Sequence, residues 1–140
     1  MRWSASFIAF AVFLLFGCQS SQPSLSHLPK QFIKVGSFGG FAGSLTQVFL
    51  FPDGSRIKTT DIPGVENDTT RMESISKKTV KKLLKAFKGD EAPIPVTGTP
   101  GNMNYFLEVH LKDTMLRYSW SDSQQPASPV LSTYQKTLAP

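Results

Sequence analysis

Cysteine is almost missing from this chain. Cys18 is the only one among 140 residues, so an internal disulfide is excluded. Histidine is nearly as scarce, with His27 and His110 alone. Charged residues make up only 18% of the chain, and the formal net charge is +5. That mild excess lacks the dense Lys/Arg stripes of a nucleic-acid binder, and no nucleic-acid partner is expected. No repeat period is present, which argues against a solenoid. No apolar run is long enough to cross a bilayer as a helix. The strongest, Phe7 to Phe16 (FIAFAVFLLF), would cover roughly 15 Å, about half of a hydrocarbon core. A chain of this length holds one domain.

The run itself is informative. Arg2 precedes it, and a positive start followed by a short apolar segment reads as a secretory signal peptide over residues 1–17. The stretch Leu15-Phe16-Gly17-Cys18 resembles the lipobox of bacterial lipoproteins: an aliphatic residue, then a small residue, then the cysteine. The resemblance implies cleavage before Cys18, diacylation of its sulfur and often acylation of its amino group. Two or three acyl chains, each buried CH₂ contributing about 0.8 kcal/mol, give stable membrane anchoring. Gln19 stands where an aspartate commonly retains lipoproteins at the inner membrane. Its presence points to the outer membrane, facing the periplasm; in a Gram-positive cell the anchor would be the outer face of the single membrane.

Residues 18–30 then read as the lipidated cysteine and a Ser/Gln/Pro-rich flexible tether, with His27 incidental within it. Residues 31–140 read as a single domain. Its strands are expected at QFIKV (31–35), LTQVFLF (45–51), RIKT (56–59), YFLEVHLK (105–112) and 115–120. Pro52-Asp53-Gly54-Ser55 is a turn between the second and third. Residues 60–73 read as an exposed loop. Residues 76–88 form an amphipathic helix, N-capped by Ser76, with Val80, Leu83, Leu84 and Phe87 on one stripe and Gly89 as its stop. Six lysines (77, 78, 81, 82, 85 and 88) lie opposite that stripe. Residues 90–104 form a Pro/Gly-rich loop. A last helix follows Ser128-Pro129, with Val130, Leu131, Tyr134 and Leu138 inward. The expected order is β-β-β-α-β-β-α, an α+β fold with about five antiparallel strands and two helices on one face.

Catalytic chemistry finds little support. A Ser or Cys nucleophile needs a nearby histidine and an orienting acid, but Cys18 is in the anchor, His27 is in the tether and no GxSxG occurs. Glu108 and His110 share one strand face and could ligate a metal, yet no third ligand is evident. No enzyme activity and no cofactor are expected.

The most unusual segment is GSFGGFAGS, residues 36–44. Its glycines permit positive φ and close backbone approach. Phe38 and Phe41 either project outward as anchors or fold back onto the sheet. It is not a phosphate loop, because no Lys-Ser/Thr follows it and no helix starts there. Gly39-Gly40-Phe41-Ala42-Gly43 resembles the GGFAG segment near the start of the emfourin-type inhibitors of thermolysin-type metalloproteases. The likeness continues in order through the Val80–Phe87 helix, the Tyr105–Leu111 strand, a return strand and a proline-led terminal helix. This chain also inserts LTQVFLFPDGSRIKTTDIPG between the glycine motif and the helix. The resemblance implies a protein partner, a metalloprotease in its sharpest form, contacted by Phe38, Gly39, Gly40, Phe41 and Ala42. The expectation from sequence is a non-catalytic envelope lipoprotein that binds another protein. The alternative is an envelope-structural role, with the lysine face on anionic lipid or cell wall.

Overall fold

The computed structural model describes residues 24–88, 102–126 and 128–139. The expected signal peptide, Cys18 and most of the loop expected over residues 90–104 lie outside the described residues. So does Gly89.

Six strands form one antiparallel sheet: β1 (Phe32–Gly39), β2 (Ser44–Leu50), β3 (Arg56–Asp61), β4 (Asp68–Met72), β5 (Met103–His110) and β6 (Met115–Ser121). Their order across the sheet is β4-β3-β2-β1-β5-β6. Helix α1 (Lys77–Lys85) follows β4, and α2 (Ser128–Leu138) follows β6. Among the described residues the α+β class with two helices therefore holds. The strand count and order are corrected to six strands and β-β-β-β-α-β-β-α. The added strand, β4, falls inside the segment expected to be a loop. Its sequence, DTTRM, has no apolar alternation, and all but Met72 is exposed. It is a strand because it pairs with β3 from Arg56↔Met72 to Thr60↔Asp68, at the sheet edge where β-branched threonines suit extended backbone.

One face of the sheet carries the main core. Ile33 and Val35, Val48 and Leu50, Leu107 and Val109, and Tyr118 and Trp120 alternate inward along four neighbouring strands. Val80, Leu83, Leu84 and Phe87 from the α1 segment join them, with Val130 from α2. Each large apolar side chain buried there contributes about 1.5–3 kcal/mol. From the middle of α2, Tyr134 meets Trp120 and Tyr105 edge-on, at centroid distances of 5.1 and 6.0 Å. The expected face of this helix is partly revised. Thr133 and Thr137 are fully inside with Val130, while Leu131, Tyr134 and Leu138 are half-buried. The Thr137 hydroxyl donates to the Thr133 carbonyl at 2.8 Å, which lets a hydroxyl enter the core without an orphan donor.

Arg56 also lies in this interior, with 1% of its surface exposed. Its Nε donates to the Glu73 carbonyl at 2.6 Å, and its Nη1 donates to the carbonyls of Thr137, at 3.0 Å, and Ala139. One side chain thus ties β3 to the lead-in of α1 and to the end of α2.

The α1 start follows the expectation. Ser76 is extended (φ −65°, ψ 139°), and its Oγ accepts from the Thr79 amide at 3.1 Å. Ser76→Ala is expected to destabilise the protein by about 1 kcal/mol, with Ser76→Gly closer to wild type, as read by urea denaturation. Equal stability for Ser76→Ala and wild type would show that the cap contributes nothing.

Candidate functional site

Strands β1 and β2 are joined by Gly40-Phe41-Ala42-Gly43, directly after the end pair Gly39↔Ser44. Gly39, Gly40 and Gly43 have φ of 118°, 71° and 62°. A side chain at Gly39 would be strained twice, by that backbone and by the Asn102 carbonyl 2.5 Å from the position of its Cβ. The Gly43 amide donates to the Gly40 carbonyl at 3.1 Å and closes the turn. The Gly40 amide donates to the Asn102 carbonyl at 2.8 Å and fastens the turn to the start of β5.

On this fixed turn Phe41 stands wholly in solvent, with a relative exposure of 109%. Of the two options left by the sequence, Phe41 takes the outward one. Phe38 lies one step inside, on the sheet face away from the helices, 42% exposed, with its ring 6.5 Å from that of Phe106. Ala42 is exposed as well. The residues singled out in the sequence are therefore contiguous at one hairpin tip, with Phe41 foremost.

The same outer face carries a second feature. Glu108 is buried on β5 and faces Lys34, His110 and Arg117. Lys34 Nζ lies 2.5 Å from its Oε2, His110 Nε2 lies 3.4 Å from Oε2, and Arg117 Nε lies 3.6 Å from Oε1. Lys34 and Arg117 also flank the Phe106 ring at 5.7 and 5.9 Å from its centroid. That ring covers Gly36 so closely that a Cβ there would sit 2.6 Å from Phe106 Cζ. His110 stacks on Phe32 at 3.9 Å. Lys34 and Arg117 were not legible in the sequence as Glu108 partners, because the pairings Lys34↔Glu108 and Glu108↔Arg117 are matters of strand register. The Glu108 and His110 pair considered as metal ligands is engaged in this cluster. Among the described residues no three His, Cys, Asp or Glu side chains gather in a group able to hold a metal.

Burial pushes the Glu108 carboxyl up, but the hydrogen bond and charge of Lys34, the hydrogen bond from His110 and the charge of Arg117 outweigh it. The group is held below its ordinary value of 4.5. A carboxyl with a depressed folded-state pKa stabilises the fold above its unfolded value, and that contribution is lost as pH falls through the folded value. Glu108→Gln is thus expected to cost roughly 1–3 kcal/mol at neutral pH. The gap to wild type should close on acidification below pH 4.5. Denaturation curves over a pH series check this; a gap that does not change with pH would contradict it.

Elsewhere, Leu25 and Leu28 of the tether border a cavity of about 320 Å³ against Gln47, Phe49 and Thr59. The tether makes a local turn there, with the His27 amide donating to the Ser24 carbonyl at 3.2 Å. Lys77, Lys78, Lys81, Lys82, Lys85 and Lys88 are all exposed, on the α1 side of the molecule. Among the described residues no helix is long and apolar enough to cross a membrane. Compared with known proteins, the chain matches no family model and no curated sequence.

Proposed function

We propose that this is a non-catalytic envelope lipoprotein, anchored through Cys18, whose domain binds a protein partner at the Phe38–Ala42 hairpin tip. Inhibition of a thermolysin-type metalloprotease is the sharpest form of the reading. The observation that carries it is Phe41, a fully exposed aromatic on a turn that is hydrogen-bonded both within itself and to Asn102. A rigid aromatic loses little conformational freedom on docking and makes a strong anchor. The GGFAG resemblance and the outward Phe41 support the same surface.

The test is an inhibition titration of the full chain in detergent against thermolysin-type metalloproteases and unrelated proteases. Inhibition confined to the thermolysin type is the expected result. No inhibition of any of them removes the inhibitor version. The anchor is tested separately: Cys18→Ala should abolish acyl labelling and release the protein from membranes.

A second reading rests on the six exposed lysines around α1, which would face anionic lipid or cell wall. Binding to anionic vesicles that falls steeply with salt would favour it.

A further inference from the structure

We propose that the β3–β4 turn, residues 62–67, is the second arm of the same docking edge as the glycine tip. We further propose that this edge fits a protein cleft whose apolar pockets are bordered by lysine or arginine. The inference rests on the reading of the tip as a protein-binding element.

Three observations carry it. First, the register puts both turns at one end of the sheet. Leu45, just after the tip, pairs with Phe38 on one side and Asp61 on the other, so the chain leaves β3 beside the point where it enters β2. The turns come close there: a Cβ at Gly43 would lie 3.9 Å from Pro63 Cγ. Second, the β3–β4 turn presents its own apolar residue. Val65 is 61% exposed, and its amide donates to the Ile62 carbonyl at 3.0 Å, which shapes the turn that holds it out. Two exposed apolar side chains on adjacent ordered turns form a two-point anchor, whereas scattered single ones need no explanation.

Third, the charge at this end has one sign. Met103 pairs with Gly39 and Asn104 with Ser121, so the start of β5 and the loop after β6 flank the tip as well. The described residues of these loops and the β3 and β4 ends beside them hold Asp61, Glu66, Asp68 and Asp122, and no lysine or arginine. The chain as a whole is basic, at +5. A surface of apolar anchors within an acidic surround complements a cleft with cationic edges, and such complementarity steers encounter and selects partners. The inserted segment, residues 45–64, contributes Asp61 and Pro63 to this edge.

The experiment places the photoreactive residue p-benzoylphenylalanine at position 41, 65 or 115 of the full chain in its own cells. Position 115 is exposed but pairs with His110 at the opposite end of the sheet. Irradiation at 41 and at 65 should give an adduct of the same mass and the same peptide identity, and irradiation at 115 should not. An adduct from 41 alone overturns the second arm and leaves the tip reading standing. An adduct from 65 alone also overturns the shared edge, and no adduct from either position removes both readings. The same adduct from 115 would show that the edge has no special part. The double variant Asp61→Lys, Glu66→Lys should lower the yield at 41 by about tenfold with an unchanged melting temperature. An unchanged yield overturns the cationic border of the partner.

Discussion

Replacing Arg56 by alanine should remove about 3–5 kcal/mol of folding free energy, a large share of the 5–15 kcal/mol typical of a domain. The loss has two sources. Truncation leaves a cavity in a place where only 1% of the side chain reaches solvent. It also strips charge-assisted donors from the carbonyls of Glu73, Thr137 and Ala139. Arg56→Lys should recover only part of this, because one ammonium cannot present the planar fork that reaches Glu73 with Nε and the Thr137 and Ala139 carbonyls with Nη1. Urea denaturation measures both variants through the shift in midpoint at constant slope. A loss below about 1 kcal/mol for the alanine variant would mean that the three carbonyls find other donors at little cost.

The second large effect is functional and leaves the fold alone. Phe41→Ala should change stability by less than about 0.5 kcal/mol, because a fully exposed ring contributes no burial. The same change should weaken partner binding by about 2 kcal/mol or more, roughly thirtyfold. Inhibition constants against a susceptible thermolysin-type protease, set beside melting curves, separate the two quantities. Destabilisation without loss of binding would make Phe41 a structural residue and the tip an ordinary turn. Gly39→Ala is a contrasting control: its φ of 118° and the nearby Asn102 carbonyl predict that it loses stability and binding together.

The elements that were legible in the sequence are those whose apolar residues recur with a fixed period. Tyr105 to Leu111 and Leu116 to Trp120 show period two because one face meets the helices and the other does not. The α1 stripe was legible for the same reason at period 3.6. Strand β4 was not, because an edge strand without a covered face has no apolar pattern to display. The first strand was expected to stop at Val35, but it continues to Gly39, carried past Gly36 by pairing on both sides with Gln47 and Phe106. In α2, Thr133 and Thr137 entered the interior beside Val130, and the Thr137 hydroxyl does so bonded to the preceding turn. At the site, the glycines of the tip were visible as composition. The placement of the neighbouring 62–67 turn and of Lys34 and Arg117 around Glu108 was not, since both arise from the register of strand pairing.

The contacts of Arg56 with Thr137 and Ala139 span 81 and 83 positions of the chain. Strand β1, near the beginning, also needs β5 on one side, as in the pair Phe32↔His110. The interior consequently cannot close until Thr137 and Ala139 are available to Arg56. Non-local topologies of this kind fold slowly, because loop-closure entropy is lost before contacts compensate for it.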